Sequence, residues 1–230
     1  MASESFEVEL GGAERVSARL DTPDRGARAS AFLLAHGAGF GMESPWMERV
    51  ARGLVARGFP VMRFNYLYRE RAQRAQREKP PDRTAVLEET HAHALRAIQE
   101  RTGERRVLLA GKSLGARIST YLAAKGERCA GLVLFGYPLH PPGQKEKLRS
   151  EHFAALAQPA LFLQGTRDDF CDLELLRAAL ERYGGKATVH VVEGADHGFQ
   201  VPRSAGRTGE EVLEELFEQV DAWERSTFPE

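Results

Sequence analysis

The sequence predicts an α/β domain in which a mostly parallel sheet is flanked by helices. Short apolar runs alternate with longer helical patterns almost to the end of the chain, an order that is typical of βαβ units. The first two runs are separated only by Gly11-Gly12-Ala13-Glu14, which predicts a hairpin connection. The later runs are separated by helical segments, so their strands need crossovers and are expected to be parallel.

Eight short apolar runs are predicted to be strands. In chain order they are Phe6–Leu10, Val16–Leu20, Ala31–Ala35, Pro60–Phe64, Val107–Ala110, Leu132–Phe135, Ala160–Leu163 and Thr188–Val192. Ser44-Pro45 predicts the start of a helix, with proline at its first position, and Gly58 its end. A second helix is predicted over Thr84–Ile98 from its apolar spacing. Thr208 and Glu211 have the spacing of a capping box at the start of the last helix.

The composition indicates one globular domain that does not bind nucleic acid. The chain has 230 residues, enough for one core and short for two, so a single domain is predicted over residues 1–230. Lys and Arg number 32 against 33 Asp and Glu, a formal net charge of −1. This balance provides no strong field to hold nucleic acid or an anionic membrane.

Neither export nor a membrane is expected from the sequence. Met1–Glu7 lacks the basic start and the apolar run of a signal peptide. No stretch approaches the ~18 apolar residues of a membrane span. The two cysteines, Cys129 and Cys171, make no disulfide framework. A cytoplasmic location is therefore expected, and the oligomeric state is left open.

No cofactor and no metal site are predicted. No G-x-G-x-x-G follows the first strands, and Gly111-Lys112-Ser113 lacks the earlier glycine of a phosphate-binding loop. His91 and His93 are two positions apart on a predicted helix, so they do not face each other and a metal pair is not expected.

Gly111-Lys112-Ser113-Leu114-Gly115 is a G-x-S-x-G that directly follows an apolar strand and precedes the helical run Ala116–Ala124. This is the context of a nucleophile elbow, in which serine occupies a sharp strand-to-helix turn and the flanking glycines leave room for neighbouring strands. Glycine and serine are also common in plain turns, so it is the position of the motif between a strand and a helix that indicates a nucleophile elbow. Ser113 is the predicted nucleophile.

A second glycine-rich segment, His36-Gly37-Ala38-Gly39, follows the third strand. Backbone N–H groups aimed at developing negative charge form an oxyanion hole, and glycines let a substrate approach closely. Ala38 and Leu114, the residue after the nucleophile, are the predicted donors. Without the serine motif, a plain turn would be the preferred interpretation. His36 is expected to shape its loop rather than to titrate in catalysis.

A serine nucleophile needs a base, and the base needs an orienting carboxylate. Asp168 follows the seventh predicted strand and His197 follows the eighth, at the sheet edge where open α/β sheets place their sites. The order Ser, Asp, His is the one expected with this elbow. Asp169 would replace Asp168 if the loop shifted by one residue. Asp196 is adjacent to His197 and is interpreted as a turn residue.

The segment Arg69–Arg83 is rich in arginine, with acidic residues interspersed. We interpret it as a solvated surface, and an anion-binding role near the mouth of the site is left open.

On these motifs the chain resembles the α/β-hydrolase superfamily over essentially its whole length, and in particular its small dienelactone-hydrolase-like branch. Tyr137–Gly143 and Gln164–Asp168 are similar to the uncapped group of testis-expressed hydrolase-like proteins and a subunit of the non-specific-lethal complex. The resemblance implies an eight-stranded, mostly parallel sheet with an antiparallel second strand. It implies that Ser113 is the nucleophile, Asp168 the acid and His197 the base.

The resemblance also implies Ala38 and Leu114 as oxyanion donors, and Gly37, Gly39 and Tyr137 are the candidate substrate-binding residues. Dienelactone hydrolases have cysteine where this chain has Ser113, so their specific reaction is not transferred. The predicted activity is hydrolysis of a small-molecule carboxylic ester, or of a related thioester, through an acyl-enzyme. The alternative is a non-catalytic interaction module on the same fold.

Residues 137–158, after the sixth strand, are too few for a separate apolar cap. Prolines stiffen their beginning, and Lys145–Glu151 forms a polar, helix-like stretch that we predict to be a crossover helix. Without cover, a long acyl chain cannot leave water. Short-chain esters are therefore the expected substrates, and a groove made by Tyr66, Leu67 and Tyr68, or by a second subunit, is the alternative.

Overall fold

The computed structural model describes residues 1–103 and 105–229, and within them eight strands form one sheet. The strands are β1 (Ala2–Glu9), β2 (Arg15–Thr22), β3 (Ser30–Ala35), β4 (Val61–Phe64), β5 (Arg106–Lys112), β6 (Gly131–Phe135), β7 (Ala160–Arg167) and β8 (Ala187–Asp196). The helices are α1 (Pro45–Ala56), α2 (Leu67–Arg74), α3 (Thr84–Thr102), α4 (Leu114–Ala124), α5 (Leu173–Leu180) and α6 (Gly209–Thr227). Each predicted strand overlaps one of the eight.

The strand order across the sheet is β1-β2-β4-β3-β5-β6-β7-β8. Strand β2 pairs antiparallel with both β1 and β4, and every other pair from β4 to β8 is parallel. This confirms the mostly parallel sheet with an antiparallel second strand. The parallel strands end at a common edge, which brings the loops that follow them together.

Two apolar layers cover the faces of the sheet. In β3 all six residues are buried, as expected for a parallel strand between two layers of helices. Because side chains alternate along a strand, Phe32 and Leu34 pack with the cluster that includes α1 and α6, whereas Leu33 and Ala35 pack with the cluster that includes α3 and α4. The continuous apolar run is therefore explained by burial on both sides.

The helix starts follow their sequence signals. The capping box at α6 is present, since the Thr208 hydroxyl accepts from the Glu211 N–H and the Glu211 carboxylate accepts from the Thr208 N–H. Ser44 occupies the cap position of α1 and Pro45 its first turn, but the Ser44 side chain makes no capping bond.

The predicted crossover helix over Lys145–Glu151 is wrong. This stretch consists of turns, followed by a single 3₁₀ turn at Phe153–Ala155. Two hydrogen bonds at Arg149 explain the difference. The Tyr137 hydroxyl donates to the Arg149 carbonyl at 2.6 Å, and the Arg149 N–H donates to the Leu139 carbonyl at 2.7 Å. These hydrogen bonds fold the segment back on the loop after β6, and residues 1–103 and 105–229 form no cap domain over the site.

The arginine-rich segment contributes α2 and then an irregular stretch that leads to α3. Arg69 pairs with Glu78 at 2.8 Å, and Arg71 pairs with Glu14 at 2.7 Å and with Asp82 at 3.3 Å. These local ion pairs agree with the solvated-surface interpretation. No helix within residues 1–103 and 105–229 has the length and apolar character needed to cross a membrane.

Candidate active site

Ser113 lies at the sharp turn between β5 and α4, with φ 52° and ψ −109°. A positive φ at a residue with a side chain is strained and is kept only where the surrounding structure enforces it. The two flanking glycines permit the turn. A Cβ on Gly111 would lie 2.3 Å from the carbonyl carbon of Gly115, and a Cβ on Gly115 would lie 2.4 Å from the carbonyl oxygen of Ala35. The motif therefore forms a nucleophile elbow in its geometry.

Ser113, His197 and Asp168 are brought together at the carboxyl edge of the sheet. The Nε2 of His197 lies 2.8 Å from the Oγ of Ser113. Its Nδ1 lies 2.8 Å from one carboxylate oxygen of Asp168 and 2.9 Å from the other. The imidazole thus contacts a hydroxyl on one side and a carboxylate on the other, which is the arrangement that activates a serine nucleophile.

The carboxylate of Asp168 is fully buried and is held by two further donors. Its Oδ1 accepts from the Phe170 N–H at 2.8 Å, and its Oδ2 accepts from the Gln164 side-chain amide at 2.8 Å. Gln164 is in turn fixed, since its Oε1 accepts from the Tyr137 N–H at 2.8 Å. In the sequence, Gln164 stood out only through a family resemblance, and nothing there indicated its contact with Asp168.

The two rival carboxylates lie elsewhere. Asp169 is exposed. Asp196 shapes the turn at the end of β8, because its Oδ1 accepts from the N–H groups of Gly198 at 2.8 Å and Gln200 at 2.9 Å. The geometry therefore favours Asp168 over both alternatives.

The loop after β3 is fixed beside Ser113 by a buried neutral histidine. The Nε2 of His36 accepts from the Tyr66 N–H at 3.1 Å, and its Nδ1 donates to the Gly37 carbonyl at 2.8 Å. Burial lowers the pKa of His36 to about 4, which keeps this tautomer uncharged. The Tyr68 hydroxyl donates to the Ala38 carbonyl at 2.9 Å. The carbonyls of Gly37 and Ala38 are thus both hydrogen-bonded. His36 shapes the loop, as the sequence led us to expect.

Of the two predicted oxyanion donors, Leu114 directly follows Ser113 in the chain and Ala38 shares its cavity. Leu114 is the first residue of α4, and the first N–H groups of a helix have no intrahelical acceptor and lie at its positive end. Ala38 lines the same cavity as Ser113, and in the described part of the chain its N–H makes no backbone hydrogen bond. Both N–H groups are available to a ligand.

A cavity of about 550 Å³ opens onto Ser113 and His197, within the size range of small-molecule sites. Gly37, Ala38 and Gly39 form one wall, and substrate binding by the two glycines stays a prediction. The remaining walls come from the β3–α1 loop, from α1 and from the loops after β5, β7 and β8, and include Phe40, Trp46, Met47, Arg49, Lys112 and Phe170. None of these residues was predicted from the sequence to line the site, although Phe40 directly follows the glycine segment.

Tyr137 does not contribute to this cavity, so its predicted role in substrate binding is corrected. The residue is fully buried, and its ring packs against Phe153 and Phe162. The alternative groove of Tyr66, Leu67 and Tyr68 is also wrong, since all three side chains are buried. Within residues 1–103 and 105–229, no group of three His, Cys, Asp or Glu side chains is arranged to hold a metal ion.

The elbow and the sheet order define the class of protein as an alpha/beta hydrolase. The sequence model of the family described as "Alpha/beta hydrolase domain" matches residues 28–225, so the chain belongs to this family.

Solved structures have the same fold over nearly the whole chain. An alpha-beta serine hydrolase homologue from Coxiella burnetii has a TM-score of 0.74 at 22% identity, covering 96% of this chain and 98% of that one. A dienelactone hydrolase from Anabaena variabilis has a TM-score of 0.76 at 20% identity, covering 98% and 97%. A serine hydrolase without lid from Xanthomonas campestris has a TM-score of 0.71 at 20% identity, covering 96% and 94%.

Proposed function

We propose that this chain is a serine hydrolase that cleaves carboxylic esters, with Ser113 as nucleophile, His197 as base and Asp168 as the orienting acid. One observation carries the proposal: a single imidazole is 2.8 Å from both the serine hydroxyl oxygen and a buried carboxylate oxygen. The family and the fold of its structural neighbours support hydrolysis in general, and the three residues provide the specific chemistry.

The reaction begins with His197 in its neutral form. Its Nδ1–H donates to Asp168, so its Nε2 is left to accept the Ser113 hydroxyl proton. As that proton moves, Oγ attacks the ester carbonyl carbon and a tetrahedral intermediate forms. The negative oxygen is stabilised by the N–H groups of Ala38 and Leu114. Asp168 stabilises the imidazolium without taking its proton.

Collapse of the intermediate transfers the proton from His197 Nε2 to the departing alcohol oxygen and leaves an acyl group on Ser113. A water molecule then gives a proton to His197 and attacks the acyl carbon. The second intermediate expels Ser113 Oγ, which takes the proton back, and the carboxylic acid is released. A thioester would react by the same steps, with a thiol as the leaving group.

The cavity shape supports a small, partly apolar substrate. Phe40, Trp46 and Phe170 provide apolar surface beside Ser113, and Phe40 is 65% exposed at the rim. Among the residues that the structure describes, no cap domain closes over this rim, so short-chain acyl esters remain the proposed substrates. The closer resemblance to testis-expressed hydrolase-like proteins and the non-specific-lethal complex subunit is also part of the proposal, and it rests on residues 137–143 and 164–168.

The test is labelling by a fluorophosphonate probe together with hydrolysis of p-nitrophenyl butyrate. The wild-type chain is expected to react at Ser113, and the Ser113→Ala variant is expected to do neither. The matched control is Ser226→Ala, because the Ser226 hydroxyl donates within α6 to the Trp223 carbonyl at 3.0 Å. A folded wild-type chain that neither labels nor hydrolyses refutes the proposal and favours the non-catalytic module.

A further inference from the structure

Lys112 is a half-buried residue that lines the cavity and places its amine beside Ser113. Its Nζ donates a hydrogen bond to the backbone carbonyl of His197. The same atom lies 5.5 Å from the ring centre of Phe199 and 5.9 Å from that of Trp46, within reach of cation–π attraction. The lysine side chain therefore lies against the catalytic histidine loop from the α1 and α6 side of the sheet.

This amine is costly to bury. Burial lowers the pKa of Lys112 to about 8, against the opposing pull of the Asp168 and Asp196 carboxylates. Within residues 1–103 and 105–229, it forms no ion pair with a carboxylate. An apolar side chain of similar length would fill the space between the two rings without this penalty. An apolar residue could not donate the hydrogen bond to the His197 carbonyl.

The turn that carries His197 is held by hydrogen bonds from two sides, one of them from the Lys112 amine. Asp196 fixes the N–H side of the turn through Gly198 and Gln200, and Phe199 has a strained φ of 59°. The Lys112 amine fixes the carbonyl side. Gly136 leaves room for the contact, since a Cβ there would lie 3.0 Å from the Lys112 Nζ and 3.5 Å from the His197 Nδ1.

We propose that Lys112 is a positioning residue whose amine holds the His197 carbonyl, so that the imidazole stays between Ser113 and Asp168. The role in turnover rests on the proposed function, whereas the structural role does not. A displacement of about 1 Å at a catalytic group can cost ~10²-fold in rate. Because the Lys112 amine is bonded to the His197 carbonyl, its loss should act mainly on kcat, with a smaller change in KM from the part of the side chain that lines the cavity.

The test compares Lys112→Met with wild type by kinetics and by proton NMR of the His197 Nδ1–H. Methionine keeps an apolar stem between the two rings and cannot donate. We expect kcat to fall about 10- to 100-fold with KM within about twofold. We also expect the Nδ1–H resonance to broaden or disappear through faster exchange with solvent. Lys125→Met, which removes an exposed amine paired with Glu88 at the other end of α4, should change neither.

A second variant covers the case in which Lys112→Met does not fold. Lys112→Gln keeps a polar side chain but is one bond shorter, which holds its amide nitrogen back from the His197 carbonyl, and it should give a smaller loss of kcat with the same change in the Nδ1–H resonance. An unchanged resonance in a folded variant, or a raised KM with normal kcat, overturns the proposal. If the wild type shows no hydrolysis, the proposed function fails, and the NMR comparison still decides whether Lys112 positions the imidazole.

Discussion

The Nε2 of His197 lies 2.8 Å from the Oγ of Ser113, although the two residues are 84 positions apart in the chain. The sheet creates this contact. Ser113 follows β5 and His197 follows β8, and both strands run in the same direction and end at one edge. Strands β6 and β7 lie between them, so the two side chains meet above the carboxyl ends of these strands, with His197 the first residue after β8.

Replacing Ser113 by alanine should remove activity and spare the fold. The side chain is half-buried at the mouth of the cavity, so loss of one hydroxyl removes the nucleophile and little packing. Loss of the serine of a comparable triad costs ~10⁶-fold in kcat, and a loss of at least about 10⁴-fold is expected here. Steady-state hydrolysis and thermal unfolding are the measurements. A folded variant that keeps a tenth of the activity would contradict the assignment of Ser113.

Asp168→Asn should reduce turnover far more than Asp169→Asn. An amide at position 168 stabilises the wrong histidine tautomer, which costs ~10⁴-fold in kcat in a comparable triad. Asp169 is exposed and serves as the matched control. If Asp169→Asn were the more damaging change, the acid would move to that residue.

The elements that the sequence predicted best are those with local signals. The Gly111–Gly115 elbow needed only a strand, a turn and a helix in succession, and the hairpin after β1 needed only its glycines. The loops carrying Asp168 and His197 could be placed because parallel strands share an edge. The local residue pattern was sufficient for the elbow and the hairpin, and the strand pattern together with the shared sheet edge was sufficient for the two loops.

The lining of the cavity and the orientation of Tyr137 depend on tertiary contacts, which the sequence pattern does not indicate. Phe40, Trp46 and Phe170 are separate apolar residues in the sequence, and only packing brings them around Ser113. Tyr137 follows a strand at the site edge, but its ring turns into the core and its hydroxyl bonds to the Arg149 carbonyl. That same bond kept the following segment from forming the predicted helix.

Gln164→Leu should weaken both the fold and catalysis. The change leaves the Asp168 Oδ2 with one donor fewer and the Tyr137 N–H without its acceptor. An unsatisfied buried polar group costs about 1–3 kcal/mol, so the free energy of unfolding should fall by about that amount. Urea denaturation measures the stability, and hydrolysis by the folded variant measures kcat. Gln73→Leu, at an exposed position on α2, should change neither quantity.

Stability should fall as the pH is lowered below about 6.5, because two buried histidines resist protonation. Burial lowers the pKa of His36 to about 4 and that of His91 to about 3, from 6.5. The unfolded chain therefore binds more protons than the folded chain between pH 6.5 and these values. Each histidine should contribute a loss of about 1.4 kcal/mol per pH unit across that window.

His91→Met should flatten this dependence. Urea denaturation at pH 7, 6 and 5 gives the slope, and His93→Gln, at a half-buried position two residues away, is the matched control. The His91→Met variant loses a bond to the Tyr66 hydroxyl, so its stability at pH 7 should be lower while its slope is shallower. A slope equal to that of wild type would mean that His91 is not the buried group that resists protonation.

The last prediction concerns the acyl chain. Each CH₂ that leaves water contributes ~0.8 kcal/mol, about a fourfold gain in kcat/KM while the chain still lies against Phe40, Trp46 and Phe170. Because no cap in the described part of the chain covers the rim, carbons beyond this wall stay in water and gain nothing. For p-nitrophenyl esters, kcat/KM should rise from acetate to about butyrate or hexanoate and then gain nothing further up to palmitate. Phe40→Ala should lower the gain per carbon, and a maximum at palmitate in wild type would show that a longer groove exists.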